Sequence, residues 1–466
     1  MPHRSSLGQM AAMVRERRIS PVELVDAHLR QIAAQNPRLN AFVVVLDAQA
    51  RQAAKLAERE VMSGATLGPL HGVPVTIKDS FDIAGLPTLC GSKFRLDHRA
   101  GEDAAATARL RAAGAIILGK TNCPEFLSNY ETDNYITGRT NNPWDLTRTP
   151  GGSSGGESAA ISSFCSAGGI GSDGGGSVRI PAHFCGIAGL KPTPGRVSAA
   201  GHFPAICHPG GLLGVAGPMA RSAEDVRLLF SVLVGYDSQD PFSAPIPLQT
   251  PAVSGIRIGV MEQFYKVPVT DETRETVRKA AKTLGQIGFH VEPFEPRGLE
   301  RAPNLWFFFG QLPAPITKKL IEGREQDAHW TGTEFLTQAL EEPPPTAEDV
   351  LHKLAARDRM RAALLRQMED LPLILAPACG VPAFHHRERR WPAGGKTIGL
   401  FEAMMPATPV NLLGLPAAVI PFDVCNGLPV GVQLIGRPWE EELILEIAVR
   451  LEQARGPSPA PPGVSN

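Results

Sequence analysis

Apolar side chains near the start of the chain recur at helical spacing. Val22, Val25, Leu29 and Ile32 form one stripe. Ser20-Pro21-Val22-Glu23 supplies the helix start: a serine to cap free N–H groups, proline at the first helical position and glutamate to close a capping box. After Gly68-Pro69-Leu70 the pattern changes. Val73-Pro74-Val75-Thr76-Ile77 is β-branched and bounded by glycine and proline, which predicts a buried strand with Lys78 and Asp79 at its end. The first hundred residues thus read as helix, helix, strand. Residues 103–119 read as a helix followed by a strand over 115–119. Beyond Ser222, a cap with Asp225 three residues on, strands are predicted at 256–260, 373–376, 418–420 and 430–434, and helices at 271–287 and 440–454. This alternation predicts an α/β core with helices on both faces of the sheet. No internal repeat is present.

Three segments depart from the pattern. A glycine-, serine- and asparagine-rich stretch over 121–176 is too long for a plain connection and marks a functional segment. The region from about 299 to 370 carries Trp306-Phe307-Phe308-Phe309, charged helical sequence and Pro343-Pro344-Pro345. It reads as an insertion whose aromatics either roof a substrate cleft or anchor the insertion to the core. The proline-rich tail, 456–466, is expected to be disordered, leaving a single domain over 1–455.

Composition narrows the classes. Of 466 residues 43% are hydrophobic and 20% charged, and 46 basic against 47 acidic residues leave a net charge of −1. That balance removes the electrostatic case for nucleic acid or an anionic membrane as main partner. The seven cysteines, Cys90, Cys123, Cys165, Cys185, Cys207, Cys379 and Cys425, contain no C-x-x-C pair. They read as reduced, buried packing residues. The N-terminus lacks a signal-peptide apolar region, and no apolar run reaches membrane-spanning length. The expected compartment is the cytoplasm.

The candidate chemistry lies in Gly151-Gly152-Ser153-Ser154-Gly155-Gly156 and Gly171-Ser172-Asp173-Gly174-Gly175-Gly176-Ser177-Val178-Arg179. A serine hydroxyl is a weak nucleophile until a base takes its proton, and the attacked carbonyl needs donors where negative charge develops. Consecutive glycines let the backbone point several N–H groups into one concavity ahead of Ser177. Lys78 follows an apolar strand, where burial destabilises an ammonium and lowers its pKa, making a base available without histidine. A second serine is able to carry the proton between them. Whether these groups meet is beyond the residues alone.

The block 149–156 through Gly189-Leu190-Lys191-Pro192-Thr193 resembles the signature of the amidase signature family. So do Gly72-Val73-Pro74-Val75-Thr76-Ile77-Lys78-Asp79, Asn141-Asn142-Pro143-Trp144-Asp145 and Gly427-Leu428-Pro429-Val430-Gly431-Val432-Gln433. The match spans most of the chain, with its core over about 72–195, and is weakest between about 290 and 400. The resemblance implies one α/β domain with a mixed, twisted central sheet flanked by helices on both faces. It implies a triad of Ser177 as nucleophile, Ser153 as relay and Lys78 as base, with a cis peptide before Ser153. It further implies an oxyanion hole from Gly174, Gly175, Gly176 and the Ser177 N–H, support from Ser154, Asp173 and Arg179, and an acyl pocket bordered by Leu127, Ser128 and Asn129. Position 174 is often threonine or larger in the family; glycine here either loosens the loop or leaves room for a bulkier substrate.

The implied reaction is hydrolysis of small hydrophobic or aryl amides, with esters and carbamates open to the same tetrahedral chemistry. It needs no metal and no organic cofactor. Activity is expected to rise into the mildly alkaline range as Lys78 loses its proton. Homodimers are common among similar proteins. Other readings compete. Gly151-Gly152-Ser153-Ser154-Gly155 matches G-x-S-x-G, which in an α/β-hydrolase makes Ser153 the nucleophile; the flanks do not read as strand–turn–helix, and His183, His202, His208 and His290 read as structural or exposed. Gly174-Gly175-Gly176-Ser177 alone is also compatible with a tight turn or phosphate nest, and Lys78 with an ion pair to Asp79. A partner-dependent glutaminase component of tRNA amidation is a further alternative, against which the stretch from His202 to His208 differs from that component's usual sequence. A non-catalytic binding module would be expected to lose Lys78, Ser153 or Ser177, and none is lost.

Overall fold

The computed structural model describes residues 1–206, 213–341 and 343–464. Cys207 and His208, and with them the end of the 202–208 stretch, lie outside the described residues. Thirteen strands occur among the described residues: β1 (Phe42–Val45), β2 (Pro74–Lys78), β3 (Ile116–Thr121), β4 (Gly168–Asp173), β5 (Ala188–Lys191), β6 (Val215–Ala220), β7 (Arg257–Val260), β8 (His290–Pro293), β9 (Leu373–Pro377), β10 (Arg390–Ala393), β11 (Lys396–Gly399), β12 (Ala417–Cys425) and β13 (Leu428–Gly436). Eleven form one sheet in the order β1-β3-β2-β4-β6-β5-β12-β13-β9-β7-β8. The sheet is mixed. β2 runs parallel to both β3 and β4, whereas β4/β6, β5/β12 and β12/β13 are antiparallel.

Both faces are covered, as the continuous apolar runs require. On β3, Ile117 enters a cluster with helices Leu7–Arg15, Ala223–Leu233 and Glu441–Arg455, while Ile116 and Leu118 face helices Pro21–Leu39 and Asp47–Ser63. β12 alternates likewise: Ala418 and Ile420 lie on one side and Val419 on the other, against Val178 and Ala182. The Ser20 capping box is present, with its hydroxyl accepting from the Glu23 N–H at 3.0 Å and the Glu23 carboxylate accepting from the Ser20 N–H at 2.9 Å. Ser222 accepts from the Asp225 N–H.

Several elements differ from the sequence reading. The edge strand β1 and the β10–β11 hairpin, turning on Gly394-Gly395 with φ of 53° and 75°, were not anticipated. The stretch 121–176 is not one loop; it holds helix Gly155–Ser162 and strand β4. The tail expected to be disordered is laid against the body as far as Val464, which is 4% exposed and whose carbonyl accepts a hydrogen bond from Arg4. Its prolines fix an extended backbone rather than a loose one. The 299–370 region folds into helices Ala302–Gln311, Ala314–Ile321, Trp330–Ala339 and Ala347–Gln367. Here both readings of the aromatics hold, for different residues: Phe309 is buried against Met368, Leu371 and Leu413, while Trp306 and Phe307 line a cavity.

Candidate active site

β2 and β4 are hydrogen-bonded neighbours, with Thr76 opposite Gly169 and Ile77 opposite Ile170. Their ends therefore bring Lys78 to the C-terminal end of β4, where its Nζ reaches Ser172. Four residues beyond β4 stands Ser177, just before helix Arg179–Cys185. Strand–turn–helix geometry is thus found at Ser177 and not at Ser153. Ser153 follows the cis peptide Gly152–Ser153 and precedes helix Gly155–Ser162.

Lys78 has no exposed surface, and its Nζ lies 2.8 Å from Ser153 Oγ, 2.9 Å from Ser154 Oγ and 3.0 Å from Ser172 Oγ. Three hydroxyls use all three donors of the ammonium, and among the described residues Lys78 has no carboxylate in ion-pair contact. Asp79, the neighbour that sequence reading allowed as its partner, is paired instead with buried Lys120 at 2.8 Å. Burial therefore pulls the Lys78 ammonium down to about 8, with nearby Asp173 and Glu157 among the groups that oppose it. As ammonium such a lysine donates to Ser153, and as amine it has a lone pair able to accept a proton.

The loop after β4 is organised by Asp173. Its carboxylate accepts from the N–H groups of Gly176 (2.8 Å), Val178 (3.1 Å) and Arg179 (3.3 Å) and pairs with the Arg179 guanidinium at 3.0 Å. Burial alone would raise the Asp173 carboxyl, but Arg179 outweighs it and holds the group below the usual range. Arg179 is itself fixed by Gln433 and Asn411. Gly176 adopts φ of 114°, a conformation that other residues rarely reach. Its N–H, expected to face an oxyanion, is committed to Asp173; the N–H groups of Gly174, Gly175 and Ser177 have no acceptor among the described residues. A Cβ at position 174 would meet only Gly214 Cα at 3.9 Å among the described residues, so glycine there leaves space.

Ser153, Gly174, Gly175 and Ser177 open into a cavity of about 600 Å³. One wall is a run of aromatic rings, with Phe307 against Phe401, Phe401 against Phe335, and Phe335 against Tyr130 at centroid distances of 5.1, 5.2 and 6.3 Å. Leu127, Ser128 and Asn129 line the cavity too. Leu127 and its neighbour Phe126 both hold positive φ, 60° and 52°, which marks a constrained wall. The Asn129 amide is not free, since it donates to Glu334 at 2.8 Å and accepts from the Glu131 N–H. Asp173 is the one charged residue lining the cavity among the described residues, and Arg179 occupies it. Sequence reading gave no role to Ser172, a ligand of Lys78, or to Tyr130, although Tyr130 directly follows the pocket segment. His202 lines the cavity, but its Nδ1 bonds the Pro204 carbonyl and burial lowers its pKa to about 3. His183 is buried between Gly431 and Val381, and His290 is exposed. Ser153 has Lys78 rather than histidine as its partner, which removes the α/β-hydrolase reading. Five cysteines are buried, Cys425 is partly exposed, and no disulfide forms among the described residues.

Comparison with known proteins places the chain in a family. The amidase family model matches residues 23–445. The chain is 35% identical over 456 residues to an indoleacetamide hydrolase of Bradyrhizobium diazoefficiens, covering 96% of this chain and 86% of that protein. It is 31% identical to a glutamyl-tRNA(Gln) amidotransferase subunit from a Synechococcus species, covering 93% and 89%. The crystal structure of a bacterial aryl acylamidase superposes with a TM-score of 0.87 at 27% identity, covering 97% of this chain and 96% of that one. The chain belongs to the amidase signature family and is an amide hydrolase acting on carbon–nitrogen bonds.

Proposed function

We propose that the chain cleaves neutral, apolar amides, aryl amides foremost, through an acyl-enzyme on Ser177. Neutral Lys78 takes the Ser153 proton as Ser153 takes that of Ser177, and Ser177 Oγ attacks the carbonyl carbon. The oxygen that becomes negative is met by the N–H groups of Gly174, Gly175 and Ser177. As the C–N bond breaks, the proton returns through Ser153 to the departing amine. Water then repeats the attack on the ester, with Lys78 and Ser153 again accepting the proton, and the acid leaves. Ser154 and Ser172 hold the lysine on its axis; Asp173 and Arg179 hold the loop. Esters and carbamates fit the same sequence of steps.

The observation that carries this reading is the 2.8 Å contact from a fully buried, carboxylate-free Lys78 to Ser153, at the floor of an apolar cavity shared with Ser177. Serine mapping with a fluorophosphonate probe tests it. The label is expected on Ser177 and is expected to fade in Lys78→Ala; a label on Ser153 would overturn the assignment. The amidotransferase likeness raises glutamine as a second substrate. A free amino acid presents an ammonium and a carboxylate, and among the described residues the one charge in the lining is already paired. This favours the free-standing amidase.

A further inference from the structure

Four successive peptide units build the loop from Asp173 to Ser177, and each has its carbonyl held by a different donor. Asp173 O accepts from Asn411 Nδ2 at 3.0 Å, Gly174 O from Trp306 Nε1 at 2.8 Å, Gly175 O from Tyr130 Oη at 3.0 Å and Gly176 O from the Ile180 N–H at 2.7 Å. A peptide's carbonyl and the following N–H share one rigid plane. Bonds to Asp173, Gly174 and Gly176 therefore aim the N–H groups of Gly174, Gly175 and Ser177, the three that lack an acceptor among the described residues. A donor on the carbonyl also polarises the plane and makes its N–H a stronger donor.

Trp306 stands apart from the other three donors because it comes from the 299–370 region. Its helix, Ala302–Gln311, is anchored by Ala302, Leu305 and Phe309 against Met368, Leu371 and Leu413. The indole lies so close that a Cβ at position 175 would fall 2.4 Å from Trp306 Cζ2, so glycine at 175 and tryptophan at 306 fit only together. The same ring lines the cavity. One side chain thus faces the substrate with its ring and the catalytic loop with its N–H.

We infer that Trp306 is a positioning residue for amide cleavage: its indole N–H orients and polarises the Gly174–Gly175 peptide so that the Gly175 N–H meets the developing oxyanion. The inference rests on Ser177 as nucleophile. Its distinguishing consequence is a loss in the transition state without a loss in substrate binding.

The test is steady-state kinetics on a neutral aryl amide, together with affinity for an aryl boronic acid that forms a tetrahedral adduct with a serine oxygen. Trp306→Phe keeps most of the wall and removes the donor. Its kcat is expected to fall about tenfold with KM within about twofold, and boronate affinity to fall by a similar factor. Trp306→His, which restores a ring N–H, is expected to recover part of the kcat. Phe307→Leu, altering the same wall without touching the loop, is expected to move KM and leave kcat. Unchanged kcat in Trp306→Phe, or a loss confined to KM, would overturn the inference and leave Trp306 as a wall residue only. Ser177→Ala run alongside separates the two levels: complete loss keeps the nucleophile whatever Trp306 does, and retained activity ends both.

Discussion

With Lys78 as the proposed base, the expectation at the residue scale turns on its protonation. With its value lowered by burial to about 8, kcat/KM is expected to rise roughly tenfold per pH unit below that point and to level off above it. A profile flat between pH 6 and 9 would remove Lys78 as base. The same shift has a cost in stability, and the sign follows from proton counting. In the unfolded chain the group titrates near 10.5, so between about 8 and 10.5 the unfolded state binds more protons and stability rises with pH. Near pH 7 the buried ammonium destabilises the fold by a few kcal/mol. Lys78→Met is therefore expected to melt above the wild type at pH 7 while losing activity by about 10³-fold or more, and the melting gap is expected to close as pH approaches 10. Melting curves of both proteins across that range decide the matter; a gap that does not narrow would mean that the lysine charge is not its source.

Asp173 and Arg179 tie the end of β4 to the helix that follows Ser177, and this pair sets the expectation at the scale of elements. Both side chains are fully buried. Removing Arg179 leaves a carboxylate without counter-charge, a loss of about 3–5 kcal/mol. Arg179→Met is expected to lower the denaturant midpoint strongly, and Asp173→Asn in the same chain to restore part of it. Unchanged stability in the single variant would show the pair to be dispensable. How much of this layer the sequence disclosed depended on the kind of signal. Strand β2 was readable because a β-branched run sits between glycine and proline, strands β9, β12 and β13 were readable as short apolar runs, and helices with caps at Ser20 and Ser222 were readable from those caps. Helix Gly155–Ser162 was not, since every one of its residues is buried and no polar face gives it a period. β1 is four residues on a sheet edge, too short for alternation to register. Ser177, Ser153 and Lys78 were legible as a motif, whereas Trp306 reaches Gly174 across 132 positions, a distance that no local pattern encodes.

The whole molecule divides its labour between the sheet, which holds the chemistry, and the helices of the 299–370 region, which shape the cavity. Phe335 and Leu336 come from helix Trp330–Ala339 and Ala314 and Leu320 from helix Ala314–Ile321, so these helices contribute apolar side chains to the cavity that Ser177 shares. Selectivity should follow. A neutral aryl amide such as phenylacetamide is expected to be cleaved with kcat/KM at least about a hundredfold above that for glutamine, because a zwitterion loses its hydration against a lining with no unpaired charge among the described residues. Equal efficiency on the two would count against the apolar cavity as the seat of specificity. No helix among the described residues is long and apolar enough to cross a membrane.

The adjacency of β2 and β4 has a consequence for how such chains diversify. Lys78 and the end of β4 are placed by the register of two neighbouring strands, which lie about 4.8 Å apart, and not by the loops that carry the cavity walls. Drift in the helical region leaves that interval untouched. A different 299–370 segment set over the same sheet would then reshape the cavity around an unaltered strand register, provided that it brings a donor to the Gly174 carbonyl as Trp306 does.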